Sequence, residues 1–285
     1  MGGNLNQEYT IDELLITCIA HQISDGQIVA QGIATPLVTA GYLLAKCTHA
    51  PNLRIASAIG QGVCDTYDGS ALGIARIENL WLGQALLTLG FVSASADVLS
   101  TVHPLEFFRP GQIDALGNFN NVAFGSDYQR PRLRLPGVGG IPDVTITGHA
   151  VHLYVTRHSR VTFVEKCDYI SGFGHSSARL YGAGPCYLLS DLGQFDWTDG
   201  TDGTDRIMRL THLHPGVTVE RIRAKTGFVL EVSSNIQETI VPTTEELRLL
   251  REVIDPLGVR ELEMLGGTAR RDKLRAILTS EEALN

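Results

Sequence analysis

The chain has 285 residues and a mass of 30.9 kDa, with 23 lysines and arginines against 31 aspartates and glutamates, a formal net charge of −8 and an isoelectric point near 5.6. Such an acidic chain lacks the positive field that binds phosphate backbones, and no apolar run reaches the roughly 18 residues of a membrane span, so we expect neither a nucleic-acid nor a membrane partner. No secretory signal pattern opens the sequence and its five cysteines are scattered, so we expect a cytoplasmic protein without disulfides.

The beginning of the chain predicts a helix with one buried face. Thr10 and Glu13 form a capping box, in which each side chain can bond the backbone N–H of the other residue. Apolar residues then recur at helical spacing over residues 11–19, which is typical of an amphipathic helix.

A strand, a helix and a second strand are predicted next. Residues 27–33 are a short apolar run, Thr35 and Pro36 open a helix that extends to Cys47, and residues 53–58 form a second apolar run. This alternation predicts an α/β fold with an open, mostly parallel sheet flanked by helices. Active sites in such sheets lie at the carboxyl ends of strands, so we expect the chemistry just after these two strands.

The rest of the chain predicts more strands, two further helices and a charged C-terminal segment. In chain order these are a helix at 81–89, strands at 91–95, 132–135, 150–156, 161–164 and 186–191, and a helix at 243–254 that begins at a second capping box. Gly266 and Gly267 then separate the last residues, in which a short helix is possible. We therefore expect one domain over residues 1–265 and a C-terminal tail or docking helix over residues 266–285.

A glycine-rich loop at residues 137–143 is the most informative local feature. It follows a predicted strand and precedes a predicted helix. Glycines there allow backbone N–H groups to point into a cavity, where they could stabilise the oxyanion that forms when a carbonyl is attacked. A tight structural turn is the alternative interpretation.

Other polar residues are candidates for a site, each with a structural alternative. Two pairs of histidines could bind a metal, yet no clustered cysteine or carboxylate completes either site, so we expect no bound metal. Cys64, in a glycine-flanked loop, could be a nucleophile. A short basic cluster could meet the phosphates of an anionic ligand or pair with nearby acids. The histidine pairs are His149 with His152 and His212 with His214, and the basic cluster is Arg157, His158 and Arg160.

Three motifs stand in a fixed order along the chain: residues 109–120 (RPGQIDALGNFN), 137–143 (GVGGIPD) and 163–168 (FVEKCD). In this order the chain resembles the β subunits of the family I CoA-transferases, of which glutaconate CoA-transferase is the type. The resemblance extends over roughly residues 11–263. It implies the CoA-transferase (NagB/RpiA-like) fold, in agreement with the open α/β sheet predicted above.

The resemblance also implies which residues form the site. Gly139 and Gly140 are expected to supply the N–H groups of an oxyanion hole, as the glycine loop does in that family. The residues expected to bind substrate are Ser57, Ala58, Ile59, Gly60, Gln61, Gln112, Asn118, Gly137 and Val138.

One departure from the family concerns its nucleophile. Family I transferases carry a glutamate just after the strand that matches residues 53–58, where it attacks the acyl-CoA. Residues 55–62 of this chain read IASAIGQG, which contains no carboxylate. Serine and glutamine cannot form the acyl anhydride of that reaction, so we expect residues 57–61 to line the pocket wall instead.

Four other segments (residues 171–174, 189–196, 213–218 and 246–256) resemble a hydrolase branch of the same family. That branch opens the last steroid ring, as its CoA thioester, by hydrolytic C–C cleavage in bacterial steroid degradation. Its β subunit lacks the glutamate, and a glutamate of the α subunit serves as the base. The resemblance implies an α subunit as partner in an α2β2 heterotetramer, coenzyme A as part of the substrate, and no permanently bound cofactor.

Three alternatives remain open from the residues. The chain could belong to a CoA-transferase whose nucleophile is displaced to Asp65 or Glu78. It could belong to a decarboxylase of glutaconyl-CoA type, with Cys64 near the pocket. It could also be a non-catalytic stabilising subunit.

Overall fold

The structure is a computed structural model that describes residues 8–32, 35–57, 62–74, 83–90, 92–146, 150–176, 179–199 and 206–283. The chain divides into two compact units, residues 1–94 with 240–285, and residues 95–239. The C-terminal segment thus belongs to the first unit. Among the described helices, none has both the length and the apolar character needed to cross a bilayer.

The described chain contains both helices and strands. The helices are α1 (Ile11–Ala20), α2 (Pro36–Cys47), α3 (Leu99–Val102), α4 (Ile141–Val144), α5 (Val219–Lys225), α6 (Thr244–Arg248) and α7 (Gly267–Ala283), with π-helical turns at Ser93–Val98 and Leu249–Ile254 and a 3₁₀ helix at Val259–Glu263. The strands are β1 (Ile28–Ala30), β2 (Arg54–Ser57), β3 (Gly62–Cys64), β4 (Ala85–Thr88), β5 (Leu105–Phe108), β6 (Gln112–Ile113), β7 (Phe119–Asn120), β8 (Ala123–Phe124), β9 (Leu133–Arg134), β10 (Ala150–Val155), β11 (Pro185–Ser190), β12 (Gly193–Trp197), β13 (Met208–Leu213) and β14 (Glu231–Glu238).

The first unit confirms the predicted order of helix, strand, helix and strand. The capping box at α1 is formed, with the N–H of Thr10 donating to Glu13 Oε2 at 2.9 Å. Strands β1 and β2 are parallel, while β3 pairs antiparallel with β2, and β4 with β3. The α2 helix that connects β1 to β2 is anchored by its buried Tyr42, whose hydroxyl donates to the carbonyl of Ala30 at 3.0 Å.

A buried ion-pair network joins the C-terminal part of this unit to α1. The guanidinium of Arg260 lies 2.7 Å from Asp12 Oδ2, 3.0 Å from Asp255 Oδ2 and 3.3 Å from Glu13 Oε1. All four side chains are buried, and Asp255 is only 1% exposed. Because each charge has partners in the interior, this network fastens the 3₁₀ helix to the N-terminal helix.

The second unit is built on the strand order β14-β13-β12-β11-β10-β5. Strand β10 is parallel to both β5 and β11, the pairs β11–β12 and β12–β13 are antiparallel, and β13 is parallel to β14. Its core contains Phe119, Phe163 and Phe195, each fully buried, and Ile141 and Val144 of α4 pack against that core. The predicted fold class is confirmed: the sheet is mixed, mostly parallel and flanked by helices.

Three predicted elements are wrong in type. The described part of the predicted helix at 81–89 forms β4, which is an exposed strand paired through Leu87 to Val63 of β3. The described part of the predicted strand at 91–95 enters a π-helical turn. Residues 161–164 form a loop in which only Phe163 makes an isolated bridge. Short apolar runs carry no period that separates helix from strand, so pairing with distant residues decides.

The C-terminal segment forms a longer helix than the sequence predicted. Helix α7 has 17 residues and begins at Gly267, which has a φ of +56°. Its Ile277 is 2% exposed, and Glu281 accepts a hydrogen bond from the N–H of Ile74 at 2.6 Å. The helix therefore packs on the first unit and is not a free tail.

Candidate active site

The glycine loop connects β9 to α4 in the second unit. Gly137 and Gly139 have φ values of +118° and +50°, which only glycine adopts without strain, whereas Gly140 has a φ of −84° and precedes α4 as its N-cap. All three glycines are exposed, and no atom lies within 4 Å of the position that a Cβ would take on any of them. Within the described chain, the N–H groups of Gly139 and Gly140 donate to no acceptor. They are therefore free to bind an oxyanion, and this role remains a prediction.

The elements on both sides hold this loop in place. Before it, the N–H of Arg132 donates to the carbonyl of Phe124 at 2.8 Å, and the N–H of Leu135 to that of Val122 at 3.0 Å. After it, the N–H of Ile141 donates to the carbonyl of Val138 at 3.0 Å. The open N–H groups thus lie between a hydrogen-bonded hairpin and a helix that packs on the core.

Gln112 lies in the interior, where other polar side chains bind both ends of its amide. Its Nε2 donates to Asp168 Oδ2 at 3.1 Å, and its Oε1 accepts from Asn120 Nδ2 at 2.7 Å. Gln112 and Asn120 are 5% and 0% exposed. The amide therefore holds the segment that contains Asp168, and a direct contact with substrate remains a prediction.

Asn118 has a similar environment. Its Nδ2 donates to Asp114 Oδ2 at 3.0 Å, and its Oδ1 accepts from the N–H of Gly174 at 2.8 Å. Burial raises the pKa of Asp114 even though several N–H groups bond its carboxylate. Like Gln112, Asn118 connects loops that are distant in sequence, and its predicted contact with substrate is not tested by this geometry.

Ser57 ends β2 at the carboxyl edge of the parallel pair. It is 5% exposed and lies opposite Gly62 in the β2–β3 pairing. Ala58, Ile59, Gly60 and Gln61, which were also predicted to bind substrate, lie outside the described residues. Ser57 therefore lies where the predicted site after β2 begins, and its contact with substrate remains a prediction.

Gln31 is a polar residue at this edge that the sequence analysis missed. It follows β1, its N–H donates to the carbonyl of Ala56 at 2.9 Å, and its side-chain Nε2 donates to Thr39 Oγ1 at 2.5 Å. Its Oε1 is buried and, within the described part of the chain, has no hydrogen-bond partner. The signal available in the sequence was its position as the first polar residue after an apolar strand.

Two proposed nucleophiles lie away from this edge. Cys64 is opposite Ile55 in the antiparallel β2–β3 pair, so Asp65 continues toward the amino end of β2. Ile55 and Ser57 are two positions apart along the strand, which is about 7 Å. Burial raises the pKa of the Cys64 thiol to about 11, so the reactive thiolate is scarce at neutral pH. Glu78, the other displaced candidate, lies outside the described residues.

His158 is an interior residue and not part of a surface basic cluster. Its Nδ1 and Nε2 lie 3.1 Å from Ser190 Oγ and Thr226 Oγ1, and its ring stacks on Phe163 with the centroids 3.6 Å apart. Burial lowers its pKa to about 3, so it is neutral at physiological pH. The predicted cluster with Arg157 therefore offers no imidazolium to an anionic ligand.

The histidines that could have bound a metal are also used inside the fold. His214 is bonded to Thr239 Oγ1 at 2.9 Å and to the carbonyl of Ser190 at 2.7 Å. Burial lowers the pKa of both His214 and His152 to about 4. His149 lies outside the described residues, and among those described no group of three or more potential ligands could hold a metal ion.

Glu106 in β5 is a buried carboxyl group that the sequence analysis did not single out. It is 8% exposed and in register with Val151 of β10, on the face where Phe108 and Leu153 contribute to the apolar core. Burial raises its pKa to about 8. At pH 7 the group is therefore mostly a neutral carboxylic acid.

We expect Glu106→Gln to remove a pH-dependent loss of stability. The pKa of Glu106 is raised from 4.5 to about 8 on folding, so between these values the folded state binds more protons than the unfolded state. The free energy of unfolding of the wild type should consequently fall as the pH rises from 5 to 8, by about 3 kcal/mol from this group. Urea unfolding at four pH values measures the difference between variant and wild type.

Glu231→Gln is the matched control for this experiment, because Glu231 is an exposed strand residue of the same unit. This control should keep the pH dependence of the wild type. If Glu106→Gln also keeps the pH dependence of the wild type, Glu106 does not titrate in the way the structure indicates.

Several known proteins are similar to this chain over most of its length. No family model matches the chain. The cholesterol ring-cleaving hydrolase IpdB subunit of Mycobacterium tuberculosis (strain ATCC 25618 / H37Rv) is 32% identical over 240 residues, which are 81% of this chain and 88% of that protein.

Two crystal structures are similar over most of the chain. Glutaconate coenzyme A-transferase from Acidaminococcus fermentans superposes with a TM-score of 0.74 at 25% identity, covering 87% of this chain and 96% of that chain. The decarboxylase AibA/AibB superposes with a TM-score of 0.74 at 27% identity, covering 89% and 98%. Each likeness extends over more than four-fifths of the chain, so it concerns the whole fold and not a single motif.

Proposed function

We propose, because this chain belongs to the family of CoA-transferase-like B subunits, that it is the β subunit of a heteromeric enzyme acting on acyl-CoA thioesters. Its reaction, in this proposal, is the hydrolytic C–C opening of a cyclic β-keto acyl-CoA in steroid degradation. The substrate brings coenzyme A with it, and no other cofactor is bound permanently. A separate α subunit completes the enzyme, in an α2β2 assembly.

One observation carries the choice of hydrolysis over CoA transfer. A transferase needs a carboxylate that attacks the thioester carbonyl, and residues 57–62 at the carboxyl end of β2 are all neutral. The displaced candidate Asp65 continues toward the opposite end of that strand. The carboxylate Glu263 does reach the start of α2, but it is buried and accepts the N–H of Leu37 at 2.9 Å, as a helix cap does.

In this proposal the chain's residues bind and position while the α subunit supplies the base. The base activates a water, whose hydroxyl adds to the ring ketone. The C–C bond between that carbon and the α-carbon of the thioester then breaks, and the α-carbon takes up a proton. The N–H groups of Gly139 and Gly140 would hold the oxyanion formed in these steps, and residues 57–61 would line the pocket.

The test is an assay of this chain co-purified with its α subunit, on a cyclic β-keto acyl-CoA in H₂¹⁸O. We expect one ¹⁸O atom in the new carboxylate, an intact thioester and no activity from this chain alone. Hydroxylamine or borohydride trapping during turnover should leave this chain unmodified in mass spectrometry. A glutamyl or aspartyl adduct on it would instead show CoA transfer.

Decarboxylation is the second candidate, because the decarboxylase AibA/AibB is similar over 89% of the chain. Release of CO₂ from a glutaconyl-type thioester by the same complex would favour it. The buried, neutral thiol of Cys64 argues against the version in which that cysteine reacts.

A further inference from the structure

Two arginines stand on the β8–β9 hairpin just before the glycine loop. The guanidinium carbon of Arg134 lies 4.5 Å from the ring centroid of Tyr128, and its Nη2 donates to the carbonyl of Tyr128 at 2.9 Å. The guanidinium carbon of Arg132 lies 6.0 Å from the ring centroid of Phe124. Stacking on an aromatic face restricts a guanidinium to a few orientations, so both side chains are partly pre-organised.

These guanidiniums are open to a ligand. Both arginines are exposed, and neither forms an ion pair with any carboxylate of the described residues. Residues 109–140 contain four arginines against two aspartates, and one of those aspartates, Asp114, is buried. In a chain whose net charge is −8, this stretch carries a local excess of positive charge.

The arginines precede the open N–H groups by a few residues along the same segment. Gly139 is five positions after Arg134 in the sequence, so their Cα atoms are at most about 18 Å apart. The hairpin and α4 are both hydrogen-bonded, as described above, which fixes the direction in which the chain leaves the arginines. A carbonyl bound at the glycine loop and an anionic group bound at the arginines can therefore belong to one substrate molecule.

We propose that Arg132 and Arg134 bind an oxyanion group of the acyl-CoA substrate. This inference rests on the proposed function and adds a binding site to it. Guanidinium forks bind phosphate and carboxylate oxygens through paired, charge-assisted hydrogen bonds. The group is either a phosphate of coenzyme A or a carboxylate of the acyl part, and the two sources can be separated by choice of probe.

The experiment measures Kd by calorimetry for the complex of this chain with its α subunit, as wild type and as the double variant Arg132→Gln/Arg134→Gln. The probes are coenzyme A, pantetheine, succinyl-CoA and butyryl-CoA. If the pair binds a phosphate, the double variant should raise the Kd of coenzyme A by about 10- to 100-fold and leave the Kd of pantetheine unchanged. If the pair binds a carboxylate, the Kd of succinyl-CoA should rise by that factor, and the Kd of each other probe should stay unchanged.

Two further variants act as controls. Arg223→Gln removes the same charge from an exposed position on α5 of the same unit and should leave every Kd unchanged. Arg132→Lys/Arg134→Lys keeps the charge but loses the fork, and should recover only part of the affinity.

The outcomes separate this inference from the proposed function. Wild-type affinities for both coenzyme A and succinyl-CoA in the double glutamine variant would overturn the arginine site while leaving the proposed function in place. A wild-type complex that binds none of the CoA probes would overturn the proposed function, and the arginine site with it.

Discussion

Arg260→Met is expected to lower the free energy of unfolding by about 3–5 kcal/mol, the usual result of removing one partner from a buried ion pair. The guanidinium contacts Asp12, Glu13 and Asp255, which come from two segments far apart in sequence. Methionine fills a similar volume but leaves Asp255 in the interior without a cation. That uncompensated charge, and not lost packing, accounts for most of the expected effect.

Urea unfolding followed by circular dichroism measures this change. Arg248→Met is the matched control, because Arg248 is an exposed arginine that pairs with Glu245 and Glu252 across one helical turn. Exposed pairs of that kind contribute less than about 1 kcal/mol, so the control should stay near the wild type. Equal stabilities for the two variants would show that the buried network does not hold the C-terminal part of the unit.

Gly140→Pro is expected to reduce kcat of the complex by about 10²- to 10³-fold, the usual cost of removing one oxyanion donor. Gly140 has a φ of −84°, which is close to the value that proline imposes, and its N–H donates to no acceptor in the described chain. The carbonyl of Gly140, which accepts from Asp143 and Val144, is retained. The substitution therefore removes the N–H of Gly140 while it keeps this carbonyl acceptor.

Gly140→Ala is the control, because it keeps that N–H and no atom lies within 4 Å of the added Cβ. It should turn over within about threefold of the wild type. Steady-state kinetics on the complex, with circular dichroism to verify folding, measure all three proteins. If the proline and alanine variants have the same kcat, the N–H of Gly140 does not bind the reacting oxygen.

Local sequence signals were sufficient for the elements that are stabilised locally. The capping box of Thr10 and Glu13, and the proline at the start of α2, predicted where two helices begin, and the structure confirms both. These signals work because a helix end is satisfied by residues within one turn of it. The glycine loop between strand and helix was predicted for the same reason, and its positive φ values at Gly137 and Gly139 agree with the glycine pattern.

The candidate site depended more on contacts between distant residues. Gln112 and Asn118 stand in a motif expected to bind substrate, yet their amides bond to Asp168 and Gly174, each 56 residues later. His158 looked like part of a basic surface cluster, but Ser190 and Thr226 enclose it. No sequence window contains both partners of such bonds, so the pattern alone could not separate a binding residue from one that holds the fold.

The sequence by itself determined the α/β class, the strand-linked glycine loop and the neutral residues after β2, because these follow from local spacing and from residue chemistry. Only the tertiary structure decided that Cys64 and Asp65 run away from the carboxyl edge, that Glu106 is buried in an apolar face and that Arg260 joins two ends of a unit. Strand register and burial depend on which distant segments pair, and that choice is made by the whole chain when it excludes water from its core.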